Sequence, residues 1–144
     1  MQRHGFTLIE MLLSVAVITV IAGISIPIYQ SFQVRNDLDL SASTIAQTAR
    51  RAQFLAQASD GDSNWGVHVQ SGSIVLFKGS TFAARDTTVD ETFDLPASLA
   101  PTGTSDLIYQ KVTGMPAATG TVLLTSTANE TRTILINAKG MVSY

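Results

Sequence analysis

The stretch Gly5-Phe6-Thr7-Leu8-Ile9-Glu10 is followed by Met11–Val34, a run of 24 residues without a charge. A helix of this length reaches roughly 36 Å, whereas the hydrocarbon core of a bilayer is about 30 Å thick. The pattern therefore predicts one transmembrane helix over residues 6–34. The only basic residues before it are Arg3 and His4. Because positive charge next to a transmembrane helix favours the cytoplasmic side, we expect the N-terminus in the cytoplasm and the C-terminal part outside.

Glu10 is an ionisable residue at the very edge of this apolar segment. A charged side chain at the bilayer centre costs about 2.5–3.5 kcal/mol on insertion scales, so an acid in such a segment usually marks a functional site. We therefore expect Glu10 to have a partner. The alternative is that Glu10 rests at the lipid headgroup boundary and has no role.

A cleaved secretory signal is the first competing interpretation of the N-terminus. Such signals have an apolar core of about 7–15 residues that ends in a small-residue cleavage site. The apolar run here is longer and passes through Ile24, Ile26, Ile28 and Tyr29 without such a site. Removal after the apolar run is therefore not expected.

The residues Gly5 to Glu10, between a basic leader and an apolar helix, resemble the type III signal of type IV pilins and type II secretion pseudopilins. In that family a membrane-bound prepilin peptidase cuts after the glycine and methylates the new N-terminal residue. The resemblance implies a leader of residues 1–5, cleavage between Gly5 and Phe6, and N-methylation of Phe6. It also places Glu10 at the fifth mature position, where the family's carboxylate is understood to meet the N-terminal ammonium of a neighbouring subunit.

The chemistry of that pairing can be stated independently of the family. Cleavage creates an α-amino group with a pKa near 7.7–8.0, and opposite charges attract strongly in a low-dielectric setting. Loss of one partner of a buried ion pair costs about 3–5 kcal/mol. Because Glu10 cannot easily reach its own N-terminus while the first turn stays helical, the partner is expected on another chain.

Two parts of the predicted helix differ in character. Gly23 and Pro27 mark a predicted helix break, because proline removes a backbone hydrogen bond and clashes with the preceding turn. We expect the stretch Gly23–Tyr29 to bend or lose helicity when the subunit leaves lipid and enters a polymer; the alternative is a static kink. Residues 35–60 are predicted to form an amphipathic half that packs on a sheet. Its apolar residues recur at spacings of three and four: Leu38, Ala42, Ile45, Ala49, Ala52 and Ala56.

Residues 61–144 show the alternation of β-strands and predict one small antiparallel domain. Trp65–Gln70 and Ser73–Lys78 flank Ser71-Gly72 and predict a hairpin. Pro96–Gly103 and Gly114–Gly120 are predicted loops. The other predicted strands are Thr88–Leu95, Leu107–Val112, Thr121–Thr127, Thr131–Ile136 and Met141–Tyr144. The predicted fold class is α+β, a long N-terminal helix whose second half packs on antiparallel sheet.

The second half is also similar, more weakly, to GspH/FimT-type minor pilins and pseudopilins. The similarity lies in Ala49–Ala52, Trp65-Gly66, Val112–Pro116 and Thr131–Ile134 before Lys139-Gly140. Some FimT-type pilins take up DNA, but from Asp60 onward five basic residues face eight acids, a charge of minus three, which argues against a broad phosphate-binding face. A local patch of Arg132 and Lys139 is the remaining nucleic-acid hypothesis.

The sequence offers little for an enzyme, a cofactor or a metal. There is no cysteine, and after loss of the leader His68 is the only histidine; on an alternating strand it is expected at the surface or at an edge. Asp60, Asp62 and Asn64 have the start of a calcium-loop spacing, but Trp65 and Ser71 replace its glycine and its acid. We expect no catalytic residues, no cofactor and no metal site.

The sequence therefore predicts a non-enzymatic subunit of a type IV pilus or type II secretion pseudopilus. Expected partners are prepilin peptidase, other pilin or pseudopilin subunits, the inner-membrane assembly platform and, before assembly, membrane lipid. The expected location is the bacterial inner membrane and then an extracytoplasmic filament. The alternatives are a DNA-binding FimT-like minor pilin of a competence pilus and a stand-alone single-pass anchor that presents a β domain.

Overall fold

The computed structural model describes residues 5–144, except for the side chains of residues 24–28 and 30. The chain divides into two compact units, Met1–Gln33 and Val34–Tyr144. The helix α1 (Leu8–Gln57) is followed by a short 3₁₀ turn (Asp60–Asp62) and antiparallel strands. The strands are β1 (Trp65–Gln70), β2 (Ser73–Lys78), β3 (Asp86–Asp94), β4 (Leu99–Gly103), β5 (Asp106–Tyr109), β6 (Gly120–Ser126), β7 (Thr131–Ile136) and β8 (Val142–Ser143). The predicted α+β, pilin-like fold is confirmed.

The helix α1 continues without interruption through Gly23 and Pro27. Among the described atoms outside its own stretch of helix, none lies within 4 Å of a methyl group placed at Gly23, so the described packing does not require glycine there. The predicted break concerns the passage from lipid into a polymer, and the Pro27 side chain lies outside the described residues. The break therefore stays a prediction.

Across the described part of the chain, no helix combines the length and the apolar character that a bilayer crossing needs. The span predicted over residues 6–34 and its orientation stay predictions from the sequence.

The strands of the second unit form two antiparallel sheets. The first sheet has the order β3-β2-β1-β5 and the second β4-β6-β7-β8. The predicted first hairpin is confirmed, with Gln70 opposite Ser73 across the turn. Gly72 in that turn has a φ of +87°, a conformation that a two-residue hairpin turn requires and that glycine adopts without steric cost.

The core of the second unit lies between α1 and the inner faces of both sheets. All six predicted apolar positions of the amphipathic half are fully buried: Leu38, Ala42, Ile45, Ala49, Ala52 and Ala56. They pack with alternate residues of the first sheet, such as Val67 and Leu76, and of the second, such as Leu124 and Ile134. Because four of the six are alanines, the sheets can approach the helix closely. The predicted helix face is confirmed.

One predicted loop is wrong. Pro96–Gly103 contains β4, which pairs with β6 and places Pro101 opposite Leu124. Proline has no backbone N–H to donate to a neighbouring strand. It is tolerated on an edge strand, because one side of such a strand has no neighbour, and β4 is an edge of the second sheet. The predicted strand Leu107–Val112 is real but ends at Tyr109.

Candidate assembly site at the helix start

The junction between Gly5 and Phe6 lies in exposed, non-helical chain just before α1. The Phe6 side chain is 82% exposed. A methyl group at Gly5 would meet no atom of the described residues beyond its chain neighbours within 4 Å, so their packing does not need this glycine. The structure thus presents the predicted processing junction in a form that another protein can reach.

Glu10 and Thr7 form a capping box at the start of α1. Glu10 Oε2 accepts hydrogen bonds from the backbone N–H and from Oγ1 of Thr7, at 3.0 Å each. In return the Glu10 N–H donates to Thr7 Oγ1 at 3.3 Å. This reciprocal pattern satisfies backbone donors that a helix start leaves without partners. The described chain therefore supplies Glu10 with a partner of its own, the first turn of α1.

The role of Thr7 was missed by the sequence reasoning, although the signal was present. A Thr followed three residues later by Glu, ahead of an apolar run, is the usual sequence pattern of a capping box. The carboxylate also lies in the first turn of α1, where the positive end of the helix dipole favours negative charge. Glu10 is thus held at the start of α1 by its bonds to Thr7, the residue after Phe6.

Within the described residues, the large apolar side chains near Glu10 are exposed and do not belong to the buried core. Large apolar side chains from Phe6 to Ile21 are between 50% and 82% exposed. They are Phe6, Leu8, Ile9, Met11, Leu12, Leu13, Val15, Val17, Ile18, Val20 and Ile21. An apolar surface this continuous marks contact with lipid or with another protein. The site is thus one carboxylate at the start of an uncovered apolar helix.

The Asp60–Asn64 segment is tied to the loop after β5. Asp62 Oδ1 accepts a hydrogen bond from Lys111 Nζ at 2.8 Å, and this bond lowers the pKa of Asp62. Asn64 Oδ1 accepts the backbone N–H of Lys111 at 2.9 Å. In residues 5–144 as described, no group of three or more His, Cys, Asp or Glu residues gathers in a way suited to a metal ion.

Of the two positions predicted for His68, the surface and a sheet edge, the structure excludes the edge. It lies on β1, which pairs with both β2 and β5 inside the first sheet. Its Nδ1 is 2.7 Å from Asp106 Oδ1, and its ring stacks on that of Phe82 with centroids 3.8 Å apart. The side chain is only 15% exposed. The environment of His68 could not be predicted from the alternation of β1, because Asp106 and Phe82 come from other parts of the chain.

The nucleic-acid hypothesis gains nothing from the structure. Arg132 Nε donates to Asp39 Oδ1 of α1 at 2.7 Å, so an acid already offsets its charge. The backbone carbonyl of Lys139 accepts a hydrogen bond from Gln53. No contact of the described chain joins the Arg132 and Lys139 side chains into one patch.

The comparison with protein families gives one match. Residues 1–26 match the family described as the prokaryotic N-terminal methylation motif. No curated protein and no solved structure matches the chain. The matched residues include the Gly5–Phe6 junction and Glu10, and proteins with this motif are structural rather than enzymatic. The chain therefore carries, at residues 1–26, the N-terminal methylation motif that is the signature of type IV pilins and pseudopilins.

Proposed function

We propose that this chain is a non-enzymatic structural subunit of a type IV pilus or type II secretion pseudopilus. One observation supports the proposal most strongly. The matched methylation motif lies on an exposed apolar helix whose first turn is capped by the Glu10 carboxylate. An isolated soluble domain has no use for such a helix. A subunit that passes from lipid into a polymer does, because both surroundings cover apolar side chains.

In this proposal the precursor is a single-pass protein of the inner membrane with its N-terminus in the cytoplasm. Prepilin peptidase removes residues 1–5 and methylates Phe6. The inner-membrane assembly platform then transfers the mature chain into a filament outside the membrane. Within the family, the GspH/FimT-type minor pilins are the subtype whose sequence pattern the second unit resembles.

Glu10 sets the register of the polymer in this account. Before cleavage its carboxylate binds the N–H and hydroxyl of Thr7. After cleavage the α-ammonium of a neighbouring chain offers a full positive charge, which binds a carboxylate more strongly than neutral donors do. Pairing between chains also neutralises two charges that apolar surroundings would otherwise disfavour.

Mass spectrometry of the N-terminus in cells that produce prepilin peptidase tests the processing step. We expect a mature chain that begins with N-methylated Phe6. Gly5→Val should block cleavage. Because a methyl group at Gly5 meets no atom of the described residues beyond its chain neighbours, that loss would report on the peptidase rather than on folding. Ile9→Val, a conservative change at another exposed position, is the matched control and should be cleaved normally. Native material that retains Met1 would contradict the proposal.

A further inference from the structure

The two sheets of the second unit have four edge strands, and three of these edges are blocked by the fold itself. The β3 edge is bulged, because its pairing with β2 shifts register between Leu76 and Lys78. A following segment covers the β5 edge, where the Ala117 N–H donates to the Ile108 carbonyl at 2.8 Å. The β8 edge is only two residues long. Bulges, covering segments and very short strands all keep an edge from pairing with another chain.

The remaining edge, β4, is straight. Its residues Leu99–Gly103 all pair with β6 without a register shift. Two hydrogen bonds just beyond its ends fix which residues bond to β6: the Thr127 N–H donates to the Ser98 carbonyl at 3.0 Å, and the Thr104 N–H donates to the Thr121 carbonyl at 2.9 Å. Bonded pairs alternate along an antiparallel ladder. The backbone groups of residues 100 and 102 therefore face β6, and those of residues 99, 101 and 103 face the free side.

The free side of β4 has few backbone donors. Pro101 lies at its centre and has no N–H, and its ring lies where the hydrogen would be. The Leu99 N–H already donates to the Pro96 carbonyl at 3.0 Å. Gly103 keeps its N–H, but it is the last residue of β4 and its φ of +91° is not that of a regular strand. In the described chain, the free side thus offers carbonyl acceptors and one donor at its end.

A second copy of this chain is the partner that proline excludes most directly. Two β4 edges related by a two-fold axis beside residue 101 would place that residue opposite its own equivalent. In such a pair each residue donates its N–H to the carbonyl of the other, so two hydrogen bonds form at the centre of the contact. With proline on both strands, neither bond can form.

We propose that Pro101 prevents the β4 edges of two copies from pairing, so that copies of this chain meet through other surfaces. A straight edge with free donors is a template for strand pairing between chains, and proline on the edge is one of the ways in which proteins prevent it. This role of Pro101 goes beyond the proposed function and does not depend on it. The role matters most where copies are held close together, as in a filament.

Pro101→Val in the full-length chain tests this role. Valine restores the N–H and keeps an apolar side chain opposite the buried Leu124. Sedimentation equilibrium in detergent micelles should give an association constant roughly tenfold or more above that of the natural chain, because two hydrogen bonds are gained and each contributes a factor of about five. Pro101→Ala restores the same N–H with a smaller side chain and should also strengthen association. Ala100→Val is the matched control, because the N–H of residue 100 already faces β6, and it should associate like the natural chain.

Disulfide cross-linking tests the register of the contact, since the natural chain has no cysteine. In the pairing centred on residue 101, residue 100 of one copy lies opposite residue 102 of the other with Cα atoms about 4.5 Å apart, which a disulfide can bridge. Full-length Ala100→Cys and Thr102→Cys chains are mixed and oxidised. They should form a product of twice the chain mass when both also carry Pro101→Val, and little when both keep Pro101. Thr133→Cys on β7 replaces Thr102→Cys in the control mixture and should give little product in either background.

Several outcomes would overturn the inference. They are association of Pro101→Val and Pro101→Ala no stronger than that of the natural chain, equal strengthening by Ala100→Val, and equal cross-linking with and without Pro101→Val. Stronger association without the cross-link between residues 100 and 102 would also overturn it, because the copies would then meet elsewhere. None of these measurements requires cleavage or filament formation, so their failure leaves the proposed function untouched.

Discussion

At the scale of single residues, Thr7 and Glu10 decide how the helix begins. The Thr7 hydroxyl takes part in two of the three hydrogen bonds of the capping box. Thr7→Val removes the hydroxyl at nearly constant volume, and loss of such a cap costs about 0.5–2 kcal/mol. We expect amide hydrogen exchange in the first turn of α1 to become several-fold faster in the uncleaved full-length chain. Thr7→Ser keeps the hydroxyl and should exchange like the natural protein; equal acceleration in both variants would contradict the assigned bonds.

Tyr109 is a buried residue whose hydroxyl has no hydrogen-bond partner in the described chain. Burial raises the pKa of Tyr109 to about 12. Because the unfolded chain loses this proton near pH 10, folding stability is fully present below pH 10 and declines by about 1.4 kcal/mol per pH unit between pH 10 and about 12. Tyr109→Phe should therefore be at least as stable at neutral pH and should lose this alkaline decline.

The measurement is urea unfolding of the full-length chain in detergent micelles at pH 8 to 12, followed by the fluorescence of Trp65, the single tryptophan. Tyr144→Phe is the matched control, because Tyr144 is 57% exposed. The Tyr144→Phe variant should still lose folding stability between pH 10 and about 12. Destabilisation of Tyr109→Phe at neutral pH would show that the hydroxyl has a partner after all.

What the sequence revealed of single residues depended on how local the signal was. The capping box is readable from Thr7 and Glu10 alone, because both partners lie within one turn. The pairing of Arg132 with Asp39 joins residues 93 positions apart, and that of Arg35 with Glu130 joins residues 95 apart. No spacing rule reaches that far, so these pairs could be found only in the folded chain.

At the scale of elements, the second half of α1 is stabilised by the face that it buries. Ile45 is fully buried between the helix and the sheets, whereas Leu40 on the same helix is 63% exposed. Ile45→Ala should lower the free energy of unfolding by about 2–5 kcal/mol, because it removes apolar surface that folding buries and leaves a cavity. Leu40→Ala should change it by less than about 0.5 kcal/mol. Chemical denaturation followed by Trp65 fluorescence compares the two, and similar losses would contradict the assigned helix face.

Elements with a clear period could be predicted, and those that depend on their neighbours could not. The spacing of three and four from Leu38 to Ala56 identified the buried helix face, and Ser71-Gly72 identified the first hairpin. β4 was missed because Pro101 indicates a loop unless the strand is known to lie at an edge. The position of β1 inside the first sheet could not be predicted from the sequence either, since sheet order is set by non-local pairing.

At the scale of the whole molecule, the large apolar side chains in the first part of α1 are exposed. The exposed side chains from Phe6 to Ile21 must be covered by something other than this chain, and the matched motif relates them to pilins and pseudopilins. In the proposed account lipid covers them first and other copies cover them later. A stand-alone anchor would keep them in lipid permanently. The two accounts differ in whether Glu10 is needed after insertion.

Incorporation of Glu10→Ala into filaments is the measurement that tests this difference most directly. The variant and the natural chain are produced in parallel with prepilin peptidase, and the amounts in the membrane and in sheared filaments are compared. We expect Glu10→Ala to insert and be trimmed normally but to be nearly absent from filaments, and Glu10→Asp, which keeps the charge, to be incorporated in part. If Glu10→Ala enters filaments as well as the natural chain does, the carboxylate does not pair subunits and the central claim is wrong.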